Sequence, residues 1–296
     1  MTGTAVTVGS FDGVHRGHQA VLAQLVRCAR EQGLDSVAIT FEPHPLDVVN
    51  PAAAPRLLTP GDEKRELLEA TGVGRVALLP FTAELARMGP EEFTRDVLLE
   101  RFGVRRLVVG YDHGFGRGRS GDVDLLRRLG AGAGFEVDSV AAVRDGGQPM
   151  SSTLIRAAVA HGDLAEAERW LGRPYGVRGR VERGAGRGRT IGIPTLNLAP
   201  PDPRKLLPPD GVYAVRVRWR GTRYGGMMNQ GPRPTFGIAE RALEIHLFDF
   251  AGELYGDTVH VEWVRRLRDV QTFPSRDALV EQLARDARAA RDSLNL

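Results

Sequence analysis

The chain has 296 residues, 42% hydrophobic and 26% charged, a balance that excludes disorder, collagen and coiled coil and is long enough for about two domains, each with its own core. The net charge of +3 hides a split, −3 over residues 1–175 and +6 over 176–296, so the C-terminal half favours anions. Among 40 basic residues only Lys64 and Lys205 are lysines and neither follows a glycine, which excludes a Gly-Lys-Ser/Thr phosphate loop, while the single Cys28 excludes an intramolecular disulfide and a cysteine-rich metal site.

In chain order, Ala5–Val8 and Val37–Phe41 are β-branched runs separated by an amphipathic helix from about Gly17. Further strands are expected at Arg75–Leu79, Arg106–Val109 and Phe135–Val140, with helices at Glu63–Ala70, Pro90–Arg101 and Asp122–Leu129 between them. Such alternation implies right-handed crossovers and a parallel, doubly wound sheet. Helical stretches from Ser152 and Asp163 close this half, and Gly172-Arg173-Pro174 stops the last of them. The domain boundary is placed there, giving domains 1–172 and 176–296. Beyond it the pattern changes to short strands at 177–182, 195–198, 212–219, 224–228, 242–248 and 258–264, which reads as a small antiparallel barrel. Leu279, Leu283 and Ala287 then recur every fourth position, the stripe of a C-terminal helix beginning near Ser275. No apolar run approaches about 18 residues, so no membrane partner is expected. No basic residue precedes Arg16, against a targeting peptide, and a reducing cytoplasm fits the lone cysteine.

The strand ending at Val8 runs into Gly9-Ser10-Phe11-Asp12-Gly13-Val14-His15-Arg16-Gly17-His18. Spacing of three puts His15 and His18 on one side of a first helical turn, where free backbone N–H groups and the helix dipole favour phosphate, and Gly17 permits close approach of a nucleotide. Alone, such a pair reads more often than not as a metal pair or two surface histidines. Its place after the first strand of a parallel sheet, where ligands bind, favours the phosphate reading.

This segment resembles the His-x-Gly-His signature of the nucleotidyltransferase superfamily, in the Gly-x-Phe-Asp-Gly-x-His form of the bacterial bifunctional riboflavin kinase/FMN adenylyltransferase (FAD synthetase) family. Thr40–Pro45, Val109–Gly116 and Met150–Arg156 are similar to that family's following blocks, although His113 and Gly114 stand where many members have an aromatic residue and an arginine. The resemblance implies that Gly9, Phe11, Asp12, Gly17, Ser152 and Thr153 bind ATP. It implies that His44 and Asp112 lie at the flavin. Phosphate attack on the α-phosphate of ATP needs charge stabilisation rather than a base, which His15 and His18 can supply, with Arg156 as a phosphate fork in a chain lacking a lysine-rich loop. Ser151-Ser152-Thr153 also reads as a helix cap.

In the second half, Arg183–Arg189 is a glycine-rich basic loop, which by itself means only mobility. Gly192–Leu198 follows, with Thr195 and Asn197 on one strand face, two oxygens suited to a metal ion and phosphates. These segments resemble the riboflavin kinase domain of the same family, as do Met228–Phe236, Leu243–Leu247, Leu254–Gly256 and Leu267–Asp269, with Gln230 in place of the usual apolar residue. The implied ATP contacts are Gly184, Gly186, Gly188 and Asn229, the implied flavin contact is Arg268, and Mg2+ accompanies ATP. Glu244 is assigned as general base for the riboflavin hydroxyl; without the resemblance it reads as a plain surface glutamate half the time. The expected partners are riboflavin, FMN, FAD and ATP, with no nucleic acid; a homo-oligomer is compatible with the sequence. The rivals are another adenylyltransferase with an unrelated barrel, which the C-terminal motifs oppose, and a basic nucleic-acid module, for which Tyr213, Trp219 and Tyr224 lack regular spacing.

Overall fold

β1 (Thr4–Val8) is buried at every position and carries no charge, as a central strand of a parallel sheet must be when both faces are covered. α1 (Arg16–Gln32) returns the chain to β2 (Asp35–Glu42), which pairs with β1 in parallel, Val6 opposite Val37. A short α2 (Pro45–Val49) and α3 (Asp62–Glu69) lead to β3 (Arg75–Pro80). α4 (Ala83–Arg87) follows, then α5 (Pro90–Glu92), which passes without a break into a wider π-type turn over Phe93–Arg101. β4 (Val104–Gly110), α6 (Val123–Ala133) and β5 (Glu136–Val140) complete a five-stranded sheet of order β3-β2-β1-β4-β5. Alternate residues feed two cores. Val6, Val8, Val37, Ile39, Leu107 and Val109 pack with Phe93 and Leu98 on one face, while Ala5, Ala38 and Val108 pack with Leu22 and Leu25 of α1 on the other. A small hairpin, β6 (Arg144–Asp145) with β7 (Gln148–Pro149), precedes α7 (Ser152–His161) and α8 (Leu164–Leu171). The doubly wound α/β reading therefore holds, and the alternation of apolar residues is its cause.

The second half holds β8 (Gly176–Glu182), β9 (Leu196–Ala199), β10 (Gly211–Trp219), β11 (Thr222–Pro232), β12 (Arg241–Leu247) and β13 (Thr258–Arg268). They close into an antiparallel barrel of order β10-β11-β12-β9-β8-β13. α9 (Arg276–Leu294) starts at Ser275, whose hydroxyl caps it by accepting from the Ala278 amide at 3.2 Å, and sets Ala290 and Leu294 against Ala214, Met227 and Phe248. Inside the barrel Gln230 is fully buried, its amide nitrogen donating to the Pro208 and Pro209 carbonyls while its oxygen accepts from the Trp263 indole. A polar residue is satisfied there because it closes this three-way network.

This computed structural model describes residues 3–183, 192–199, 202–232 and 241–296. By compactness it divides into Met1–Leu154 and Ile155–Leu296. The break at 172 expected from the helix stop coincides with a left-handed C-cap at Gly172, but α8, with Leu164, Ala167 and Leu171 buried, lies against β13 and groups with the barrel.

Candidate functional sites

The first site is built where β1 ends. His15 is the N-cap of α1, and its Nδ1 accepts from the His18 amide at 3.4 Å, so the ring that caps the helix is held over the next histidine. The two imidazoles stack at 3.6 Å between centroids and 22° between planes. Burial, with His15 as a second cause, holds His18 well below the usual histidine pKa. A Cβ on Gly17 would lie 3.1 Å from the His15 ring, so glycine here makes room for a histidine as well as for a ligand.

The residues around this pair divide by what they touch. Phe11 is 3% exposed, belongs to the core and meets His18 edge-on, while its ring covers Gly9. The buried Asp12 carboxylate accepts from the amides of Leu58 at 3.1 Å and Thr59 at 2.9 Å, and Thr59 Oγ1 accepts from the Gly13 amide at 2.8 Å. Ser152 donates to the Asp12 carbonyl at 2.8 Å, and Ser151 caps the start of α7 through the Leu154 amide; Thr153 is exposed. His44 caps α2, Nδ1 accepting from Leu46 N at 3.2 Å while Asp47 accepts from the His44 amide. Asp112 is exposed just beyond β4, and His113 stacks on Phe115. Thus His15, His18, Gly9, Phe11, Asp12, Gly17 and Ser152 come together within the first unit. Arg156 lies on α7, one turn beyond Ser152, and belongs to the second unit. The part played by Leu58 and Thr59 is absent from the motif reading, since they stand 46 and 47 residues away from Asp12.

The second site lies on the outer face of the barrel. Cross-strand register aligns Asn229 of β11 with Glu244 of β12, and Glu244 with Asn197 of β9. Leu243 and Ile245 beside Glu244 are fully buried, so the carboxylate faces away from the interior. Asn197 is buried, Thr195 is half-buried just before β9, and Asn229 is exposed. His246, on the same face as Glu244, bonds through Nδ1 to the Pro194 carbonyl at 2.8 Å and so fixes the approach to Thr195. Gly184, Gly186 and Gly188 lie outside the described residues. Arg268 is placed differently from a simple ligand contact: Nε and one terminal nitrogen donate to Asp286 of α9, the other donates to the Asp269 carbonyl, and the guanidinium lies over Phe273. It fastens the terminal helix to β13. No group of three or more histidine, cysteine or acidic side chains able to hold a metal occurs among the described residues. Oxygens of Thr195 and Asn197 remain as hard donors that fit a magnesium ion carried by a nucleotide.

The FAD synthetase family model matches residues 1–154, and the riboflavin kinase family model matches residues 171–294. The chain is 40% identical to the bifunctional riboflavin kinase/FMN adenylyltransferase of Escherichia coli (strain K12), over 99% of this chain and 94% of that protein. Identity to the protein of that name from Pseudomonas fluorescens is 40%, over 98% and 92%. Among solved structures, a macrolide-efflux protein from Streptococcus pneumoniae superposes with a TM-score of 0.88 at 35% identity, covering 98% of this chain and 94% of the other. No described helix in the present chain is long and apolar enough to cross a membrane.

Proposed function

The chain belongs to the bifunctional riboflavin kinase/FMN adenylyltransferase family, and from that premise we propose that His15 and His18 serve adenylyl transfer while Glu244 serves phosphorylation. The two reactions are phosphorylation of riboflavin to FMN by ATP, and adenylylation of FMN by ATP to FAD with release of pyrophosphate.

The observation that carries the assignment for the second reaction is the stacked pair at the exit of β1. Two imidazoles this close disfavour a double positive charge, so the pair offers N–H donors and at most one proton to an incoming triphosphate. Of the first-turn amides of α1, that of His18 is taken by the His15 ring, while those of Arg16 and Gly17 have no backbone acceptor within the helix. Charge developing on the α-phosphate and the departing pyrophosphate is met by these donors, and no base is required because the attacking FMN phosphate is already anionic. Arg156 is assigned to the triphosphate as a planar fork, and His44 and Asp112 to the flavin.

In the barrel the riboflavin hydroxyl must lose a proton as it attacks the γ-phosphate, and Glu244 is the carboxylate to accept it. Thr195 and Asn197 would hold magnesium, which when bound neutralises charge on the nucleotide phosphates. Asn229 and the segment holding Gly184, Gly186 and Gly188 complete the nucleotide contacts. A reduced Cys28 fits a cytoplasmic setting.

Chromatography of the products from riboflavin with ATP, and separately from FMN with ATP, tests the pair of assignments. His15→Ala combined with His18→Ala is expected to stop FAD formation and leave riboflavin phosphorylation intact. Equal loss of both in folded protein would reject it.

A further inference from the structure

We propose that the segment Leu57–Lys64 positions the adenylyl-transfer site, with Thr59 and Lys64 as positioning residues; the inference rests on the assignment of His15 and His18 to that reaction. The turn that delivers these histidines is strained. Phe11 has φ 48 and Val14 has φ 40, on either side of Gly13 at φ 85. Positive φ is unfavourable for any residue with a side chain and most of all for a β-branched one, so Val14 would leave this conformation unless its surroundings held it.

The restraints come from outside the turn. Asp12 reaches across to the Leu58 and Thr59 amides, and Thr59 answers by accepting the Gly13 amide, so carboxylate and hydroxyl lock the two segments reciprocally. Gln19 donates to the Val14 carbonyl at 2.9 Å, and Thr40 donates to the Ser10 carbonyl at 3.1 Å. His15 follows Val14 directly, and its ring sets the His18 amide. A turn that relaxes therefore rotates both imidazoles.

The other end of the segment acts on the second substrate loop. Lys64 is 5% exposed and its Nζ donates to the Phe41 carbonyl at 2.8 Å, near the end of β2 and three residues before His44. Composition gives this position independent weight. The chain has 38 arginines and two lysines, and both lysines are buried, Lys64 at 5% and Lys205 at 4% exposed. In a chain so strongly biased to arginine, an enclosed ammonium that donates to a strand carbonyl marks a site where the broad guanidinium fork does not fit. One short segment thus holds the exits of β1 and β2, the two strand ends where a doubly wound sheet presents its ligands.

The test is steady-state kinetics on the full chain, with riboflavin phosphorylation in the same preparations as the control. Thr59→Val keeps the shape and removes the acceptor; it is expected to lower kcat for FAD formation about tenfold with KM for FMN and ATP moved less than about twofold, since misplaced groups slow chemistry more than binding. Thr59→Ser restores the acceptor and is expected to recover the rate, and Lys64→Arg is expected to slow FAD formation in the same kcat-selective way. Wild-type kcat in Thr59→Val, a loss confined to KM, or a loss that Thr59→Ser fails to rescue would each overturn the proposal. Should Thr59→Val fail to bind FMN, Asp12→Asn replaces it, a selective kcat loss supporting the brace and a wild-type rate refuting it. His15→Ala with His18→Ala is measured alongside. FAD formation surviving that change sinks the site assignment itself, whereas its loss beside a wild-type Thr59→Val sinks only the brace.

Discussion

His260 offers a sharp test of the barrel's electrostatics. It sits mid-strand in β13, with Arg178 of β8 and Arg218 of β10 as its register partners, Gly176 packed against its ring, and Glu262 Oε1 at 3.8 Å from its Nδ1. Burial first, then Arg218, Lys205 and Arg173, lower its pKa to about 4. In an unfolded chain the same group titrates near 6.5. The native state is therefore the poorer proton binder. As pH falls through 6.5 the unfolded chain takes up the proton first, and stability is lost until about pH 4, where the native protein protonates as well. Between pH 7 and pH 5 linkage gives a loss of about 2 kcal/mol from this residue. Urea unfolding followed by tryptophan fluorescence isolates the effect, because Trp170, Trp219 and Trp263 all belong to the second unit. His260→Gln should remove that share of the pH dependence, whatever constant offset it adds through lost packing. If wild type and His260→Gln lose stability in parallel between pH 7 and pH 5, His260 is not held neutral and the reasoning fails.

The remaining predictions concern the kinase site and the terminal helix. Glu244→Gln keeps size but cannot take the hydroxyl proton, so riboflavin phosphorylation should fall by about 10²-fold while supplied FMN is still converted to FAD; a wild-type kinase rate would send the proton elsewhere. Asp286→Ala strands the Arg268 guanidinium, 15% exposed, against α9 and should cost the second unit roughly 3–5 kcal/mol in the same fluorescence-detected unfolding. A loss under about 1 kcal/mol would show that water repairs the pair.

What could be read from the sequence depended on whether the signal was local. The parallel sheet and the closed barrel follow from alternation and turn residues, and the His15–His18 pair from its place after the first strand. The π-type turn over Phe93–Arg101 left no such trace, since its apolar spacing resembles that of an α-helix. Long-range pairings were illegible for the same reason. Asp12 belongs to a motif that suggests ligand contact, yet its carboxylate goes to backbone amides 46 and 47 residues away. Arg268 likewise resembles a flavin contact, while its partner Asp286 stands 18 residues on. One warning was present: Asp286 directly precedes Ala287 of the apolar stripe, on the side of α9 that Ala290 and Leu294 bury. An acid beside a buried stripe needs a cation, and the sequence does not say which.

The order of the strands also bears on how the protein is made. In the first sheet β1, which leaves the ribosome before the other four strands, lies at the centre, so the sheet grows outward, first through β2 and β3 and later through β4 and β5 on the opposite flank. Each parallel strand meets a template already in place, which shortens the loops to be closed and lets this half fold while synthesis continues. The barrel has the opposite schedule. β13 bridges β8 and β10, so the ring stays open until β13, the last of its strands, has emerged, and its unpaired edges await that strand.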